Sequence, residues 1–236
     1  MALLELRDVV AGYGEVQVLR GVSLSVAEGS LVSLIGANGA GKTTLARAAT
    51  GLLRAWSGRV SFDGHDITRL AAHERAELGL IMVPEGRELF DGMTVAENLE
   101  MGAVTPRARP QYRDNLARMI ELFPILNKRL RQRAGTMSGG EQQMLAIARG
   151  LMGNPRLLII DELSLGLSPK LVTQLLHVSL DLKQAGQSML LTEQNVMKAL
   201  AVSDYTYVMA EGEIALEGLP DEVSGHEEVR RAYLGM

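Results

Sequence analysis

The stretch "LVSLIGANGAGKTTLARAATGLL", starting at Leu31, joins an apolar run to a glycine-rich loop and then to a helix-like run. Its centre, "GANGAGKTT", meets the spacing G-x-x-x-x-G-K-[ST] through Gly36, Gly41, Lys42 and Thr43. A strand that turns through such a loop into a helix directs bare backbone N–H groups at one point, and the helix N-terminus adds a partial positive charge there. That arrangement selects a polyphosphate. Gly36, Ala37, Asn38, Gly39, Ala40, Gly41, Lys42, Thr43 and Thr44 are therefore expected to bind the phosphates of a nucleotide. Lys42 neutralises the β- and γ-phosphates, and the Thr43 hydroxyl ligates Mg2+.

A phosphate loop also needs a carboxylate for the metal and a group that orients water. "RLLIIDE" supplies both at the end of an apolar strand. Asp161 is expected to serve Mg2+ through its water shell, and Glu162 to polarise the attacking water. Taken alone, the two would pass for solvated residues at a strand end, but the phosphate loop makes the functional reading the better one.

The rest of the chain has the rhythm of an α/β sheet. "LLELRDVVAGYG" is apolar at Leu4, Leu6 and Val9 and breaks at Gly12 and Gly14, while "GVSLSVAEG" alternates through Val22, Leu24 and Val26. "LGLIMV", "RLLIID" and "SMLLT" are short apolar runs separated by helical stretches, which predicts a parallel sheet buried on both faces. Residues 169–185 carry Leu171, Leu175, Val178 and Leu182 on one helical face, with Pro169 in the first turn and Gly186 at the end. From 94 to 151 the strand patterns vanish. "TVAENLEMG" opens with a capping box, Thr94 with Glu97, and "QYRDNLARMIELFP" is apolar at Leu116, Met119, Ile120 and Phe123. We read one domain, with 1–93 and 152–236 as a catalytic α/β core with its β subdomain and 94–151 as an inserted helical subdomain. "TPRARPQ" reads as a mobile surface connection and "NKRLRQR" as a solvated helix face. Glu211 and Gly212 read as a hairpin turn, and 221–234 as a terminal helix.

"TMSGGEQQMLAIARG", at 136–150, sets a second bare helix N-terminus on this helical segment. Ser138, Gly139, Gly140 and Glu141 have no lysine or metal ligand among them, so the turn suits completing a phosphate site rather than making one. Two copies arranged head to tail would bury two nucleotides, each held by the loop of one chain and the Ser-Gly-Gly turn of the other.

These motifs, "GANGAGKTT", "MSGGEQQ", "LLIIDE" and "SLGLSP" in that order, resemble those of the ATP-binding cassette ATPases across essentially the whole chain. The resemblance implies a P-loop NTPase fold: a RecA-like mixed sheet, an antiparallel β subdomain and an inserted α-helical subdomain. It implies ATP and Mg2+ as ligands, residues 138–141 contacting the γ-phosphate across a dimer, and residues 164–168 lining the dimer interface. Tyr13 matches the aromatic that stacks on adenine. "VPEGRELF", "MTVAENLEMGA", "SLGLSP" and "LLTEQN" are most similar to the branch serving branched-chain amino acid importers and their urea or amide relatives. Its members pair as homodimers or with a different ATPase subunit, and they work with two membrane permeases and, indirectly, with a solute-binding protein outside the membrane.

Three positions depart from the family pattern. Glu85 stands where a glutamine reaches Mg2+, Gln194 where a histidine touches the γ-phosphate, and Leu163 where a proline follows the catalytic glutamate. An amide hydrogen-bonds phosphate without becoming cationic, so pairing with a subunit that keeps the glutamine and histidine is expected to give unequal ATP sites. Catalysis is thus expected to rest on Lys42, Glu162 and Gln194, and metal binding on Thr43, Glu85 and Asp161.

Composition narrows the alternatives. A net charge of −4 argues against a nucleic-acid partner, and the lack of cysteine excludes disulfides and thiolate chemistry. No apolar run approaches the ~18 residues a membrane span needs, and Glu5, Arg7 and Asp8 interrupt any leader-like start, so the chain is expected in the cytoplasm, peripheral on the membrane's inner face. His65, His73, His177 and His226 match no catalytic position, and Met119, Met144 and Met152 read as core. A non-transport cassette lacks its usual coiled coil or second cassette here, and a simple P-loop kinase or GTPase would leave "MSGGE" idle.

Overall fold

The computed structural model describes residues 2–229. In chain order its strands are β1 (Ala2–Tyr13), β2 (Val16–Ala27), β3 (Leu31–Ile35), β4 (Ser57–Phe62), β5 (His65–Asp66), β6 (Leu80–Val83), β7 (Leu157–Asp161), β8 (Ser188–Glu193), β9 (Tyr205–Ala210) and β10 (Glu213–Gly218). Its α-helices are α1 (Lys42–Thr50), α2 (Ala72–Glu77), α3 (Val95–Gly102), α4 (Tyr112–Leu122), α5 (Pro124–Lys128), α6 (Gly139–Met152), α7 (Pro169–Gln184), α8 (Val196–Leu200), α9 (Pro220–Gly225) and α10 (Glu227–Val229). One sheet has the order β2-β1-β4-β5 with antiparallel pairing. The other has the order β10-β9-β3-β8-β7-β6, parallel except for β10. This is the mixed α/β architecture expected of a cassette.

The central strands are apolar throughout because both of their faces are covered. Along β7, Leu158 and Ile160 enter the core formed with α3, α4, α6 and α7, while Leu157 and Ile159 enter the core shared with α1 and the antiparallel sheet. On β8, Met189 and Leu191 face the first core and Leu190 the second. Met119, Met144 and Met152 are buried in the first core, as their spacing predicts. Glu211 and Gly212, both at positive φ, form the tight turn between β9 and β10. Among the described residues no helix is long and apolar enough to cross a membrane.

Several local expectations are corrected. The break in alternation between Leu6 and Val9 is a β-bulge with Asp8 at φ 50°, and β1 runs on through Gly12 to Tyr13 instead of breaking there. The helix after the phosphate loop stops at Thr50, where Gly51 takes a left-handed conformation. "TPRARPQ" is anchored, because Ala108 is buried, Arg107 donates to the Asn154 carbonyl and 109–111 form a 3-10 turn. "NKRLRQR" is not a helix face: α5 ends at Lys128, 129–131 are turn, and Arg133 forms an antiparallel bridge with Thr94. The expected terminal helix is two short ones, α9 and α10, because His226 is extended between them; 230–234 lie outside the described residues.

Helix α1 is held at its far end by Arg75 of α2. The buried guanidinium donates to the carbonyls of Ala48 (2.9 Å) and Ala49 (2.7 Å), which lie in the last turn of α1, and to those of Thr68 (3.0 Å) and Leu70 (3.1 Å). A cation here meets the negative end of the helix dipole, although burial pulls the arginine below its ordinary pKa. Arg75→Met would strand these carbonyls, so we expect a stability loss of about 2–3 kcal/mol. Urea unfolding should show it as a lower midpoint with an unchanged slope.

Candidate functional site

Strand β3 is buried at every residue and delivers the chain to Gly36, whose N–H donates to the Glu193 carbonyl (3.3 Å). A Cβ at Gly36 would lie 2.4 Å from the Met209 carbonyl oxygen, so the loop leaves the sheet where only glycine fits. Gly41 caps α1 at φ 113° without a side-chain hydrogen bond, and no acidic residue occupies the first turn. The N-terminal amides of α1 are therefore left to an anion, with nothing nearby on the helix to offset their positive charge.

Lys42 is 4% exposed and Glu162 8% exposed, and the ammonium lies 2.9 Å from the Glu162 carboxylate. The Lys42 Nζ also donates to the carbonyls of Gly36 (2.9 Å) and Ala37 (3.2 Å). This pair forms part of a cavity of about 410 Å³ lined by Asn38, Gly39, Gly41, Lys42, Thr43, Thr44, Glu85 and Glu162, together with Val18 and Leu165. The structure thus gathers most of the expected phosphate, metal and hydrolytic residues around one space. Of two larger cavities, one of about 780 Å³ lies on the helical segment and one of about 680 Å³ lies between that segment and the end of α1, α2 and β6. Of the three, only the smaller combines the lysine, the helix N-terminus and a carboxylate.

Asp161, the residue before Glu162, is fully buried at the end of β7. Its Oδ1 accepts a hydrogen bond from the Thr192 hydroxyl, while Oδ2 is buried with no partner. An orphaned buried carboxylate oxygen is costly and is the kind of group a hydrated cation satisfies. Among the described residues no three acidic or histidine side chains form a metal cage. Mg2+ does not require one, since it keeps waters and takes one or two carboxylates plus phosphate oxygens. Thr43, Asp161 and Glu85 fit that donor set.

Glu162 adopts φ 54°, a left-handed conformation that costs a non-glycine residue on the order of 1–3 kcal/mol. Its N–H is shared between the Thr192 carbonyl (3.1 Å) and hydroxyl (3.0 Å), which holds the strained residue at the cavity edge. Leu163 is fully buried in the core beside it, filling the place where a proline would otherwise restrict the turn.

The loop 84–90 carries Glu85 into the cavity and then packs against α6. Arg87 and Glu88 are both left-handed, at φ 64° and 46°. Arg149 of α6 donates to their carbonyls at 3.0 and 2.7 Å and stacks over Phe90. Arg87 in turn donates to Gln142 (3.1 Å) and Gln143 (3.3 Å). Charge patterning alone did not single out Arg87 or Arg149. Thr192 and Glu193 had a usable signal: polar side chains ending an otherwise apolar buried strand.

Other expected residues lie outside the cavity wall. Tyr13 is 44% exposed at the end of β1, its hydroxyl accepting from Arg47 (3.4 Å), a bond that raises the arginine's pKa. Gln194 is exposed just past β8. Ser138 caps α6 and closes a capping box with Glu141, with the Ser138 N–H donating to the carboxylate at 3.0 Å. Burial pushes that carboxyl up, but bonds from Ser138 and from Arg129 (2.8 Å) outweigh it and hold Glu141 below the ordinary range. Gly139 sits against the Arg87 guanidinium. Residues 138–141 do not line this chain's own phosphate cavity.

Comparison with known proteins gives consistent matches. The family model for ABC transporters covers residues 19–164. The high-affinity branched-chain amino acid transport ATP-binding protein BraG of Pseudomonas aeruginosa is 42% identical, over 99% of this chain and 100% of that protein. The lipopolysaccharide export system ATP-binding protein LptB of Haemophilus influenzae is 35% identical, over 100% and 98% respectively. Among solved structures, the ADP conformation of an ATP-binding cassette of an ABC transporter matches with a TM-score of 0.83 at 31% identity, covering both chains completely.

Asp161→Asn keeps an oxygen for Thr192 but removes the charge facing the orphan position. We expect the variant to bind nucleotide without metal within about two-fold of wild type, while Mg2+ dependence of binding weakens by about ten-fold or more. Titration calorimetry with and without Mg2+ would reveal the difference, and equal losses in both titrations would rule out a metal role.

Proposed function

The chain belongs to the ABC transporter family as an ATP-hydrolysing nucleotide-binding cassette that works with membrane permease subunits, and we propose that it powers an importer of branched-chain amino acids. Support for that cargo comes from the resemblance to BraG and from "VPEGRELF" and "LLTEQN". The likeness to LptB keeps lipid export as the second reading. We place the chain in the cytoplasm on the inner face of the membrane, with 94–151 as its helical subdomain.

One observation carries the mechanism: the buried Lys42–Glu162 ion pair inside the phosphate cavity. A polyphosphate competes with Glu162 for the ammonium. As Lys42 turns to the phosphates, its former partner becomes an unpaired carboxylate facing the reacting centre, able to accept a proton from water. The cation and the base are thereby armed by the same event. Mg2+, held through Thr43, Asp161 and Glu85, would supply charge neutralisation on the phosphates.

Residues 138–141 are assigned to the nucleotide of a facing cassette, either a second copy or a related subunit. Their position on α6, outside this chain's own cavity, supports that reading. Tyr13 is assigned to the adenine and Gln194 to the γ-phosphate.

The permease is assigned to the groove of about 680 Å³ that exposes Leu52, Phe90, Met101 and Val104. Exposed apolar surface of this kind marks a docking site. Glu88, Leu89 and Phe90 wall it, so its occupant touches the loop whose other end carries Glu85 into the phosphate cavity.

Glu162→Gln should lower turnover by at least about a hundred-fold while ATP still drives dimerisation, read by phosphate release and size-exclusion chromatography. Met101→Glu with Val104→Glu should abolish co-purification with the permeases and leave nucleotide affinity unchanged. Stimulation of the reconstituted complex's ATPase by leucine, isoleucine or valine tests the cargo; stimulation only by lipopolysaccharide would favour the export reading.

A further inference from the structure

Glu193 ends β8 and is 0% exposed, although the strand needs only an apolar or hydroxylated residue there. Its carboxylate accepts two hydrogen bonds from one residue: the Ser164 N–H at 2.9 Å and the Ser164 hydroxyl at 2.9 Å. Asn195 caps α8 by accepting from the Lys198 N–H at 3.1 Å, so the turn holding Gln194 is fixed on both sides. The Glu193 carbonyl accepts from Gly36, the first residue of the phosphate loop. Burial pushes this carboxyl above its ordinary pKa, with nearby Glu162 adding to the rise, so keeping an acid here is costly. Such a cost is offset only by the bonds the side chain makes.

We propose that Glu193 is a positioning residue whose carboxyl clamps the turn that follows Glu162 to the turn that carries Gln194, so that the hydrolytic carboxylate and the γ-phosphate contact move as one unit. The inference rests on the assignment of Glu162 and Gln194 made above. Ser164 lies two residues beyond the left-handed Glu162, and the Leu165 N–H returns to the Glu162 carbonyl at 3.3 Å. Holding Ser164 therefore limits the freedom of the Glu162 backbone. Leu165, next in sequence, forms part of the cavity wall. Releasing the clamp leaves the phosphate loop, Lys42 and Thr43 intact. It should affect the placement of Glu162 more than nucleotide binding.

The test is steady-state ATPase on Glu193→Ala, Glu193→Gln, Ser164→Ala and the Glu193→Ala/Ser164→Ala double variant, with melting temperature recorded for each. Glu193→Ala should lower kcat about ten- to hundred-fold, as a slightly misplaced catalytic group does, with KM for ATP within about two-fold. Ser164→Ala, which keeps its N–H, should lose about three-fold, and the double variant should be no worse than Glu193→Ala, because both act on one clamp. Glu193→Gln offers an oxygen to the Ser164 N–H and an amide donor to its hydroxyl, so it should recover kcat to within about three-fold of wild type. Additive losses, or a Glu193→Gln as slow as Glu193→Ala, would overturn the positioning role. Should Glu193→Ala not fold, the Glu193→Gln and Ser164→Ala predictions decide the matter. Glu162→Gln run in parallel separates the two assignments: if it is inactive while Glu193→Ala is normal, only the clamp fails, and if it turns over normally, the role of Glu162 itself fails.

Discussion

Lys42 brings a buried ammonium to an end of the sheet that also carries the buried carboxyls of Asp161, Glu162 and Glu193. Removing any of these charges from water is costly unless it is paired, and each has a different solution. Glu162 takes the lysine itself, Asp161 takes the Thr192 hydroxyl on one oxygen only, and Glu193 takes Ser164 twice. The arrangement is stable but not saturated. On the proposed reading, a polyphosphate would compete with Glu162 for Lys42, and the open oxygen of Asp161 would be available to the cation that accompanies it. Glu193 stands outside that exchange, since its partners are neutral N–H and O–H groups. It is therefore free to hold geometry while its neighbours trade partners.

Of the seven non-glycine residues at positive φ among the described residues, three lie at the cavity or on the loop that leads from it. Glu162, Arg87 and Glu88 all sit in left-handed conformations without being glycine, and each is held by bonds from a distant element. Thr192 accepts the Glu162 N–H, and Arg149 spans the carbonyls of Arg87 and Glu88. A left-handed conformation costs a non-glycine residue on the order of 1–3 kcal/mol and persists only where the surrounding bonds over-determine it, as they do here.

The sequence announces what is local. The strand, glycine loop and helix of 31–50, the apolar strands β7 and β8 and the capped start of α6 follow from spacing and periodicity, and with them the cassette fold. The gathering of Lys42, Thr43, Glu85 and Glu162 around one cavity follows from the loop's spacing together with the family resemblance. What stays hidden depends on partners far along the chain. "TPRARPQ" reads as mobile until Arg107 is seen bonded to Asn154, and "NKRLRQR" reads as helical until Arg129 is seen outside α5, paired with Glu141. Arg75 has no acidic partner to advertise it, because its acceptors are backbone carbonyls, which every residue carries. The Asp8 bulge is visible only as a slip in the apolar count between Leu6 and Val9.

Coupling between the apolar groove and the phosphate cavity then reduces to the mechanics of one short loop. Residues 84–90 have Glu85 in the cavity wall and Phe90 in the groove wall, with Arg87 between them gripping Gln142 and Gln143 of α6. Those glutamines directly follow Glu141 of the Ser-Gly-Gly turn, and Arg149 fixes the loop again two turns further along the same helix. The loop is thus attached to α6 at two points, by the hydrogen bonds of two arginines. Bonds to charged groups are worth roughly 1.5–3 kcal/mol each, so the attachment is a firm one. On the proposed reading, an occupant of the groove that shifts Phe90 would therefore pull on α6, whose first turn carries the residues assigned to a facing cassette.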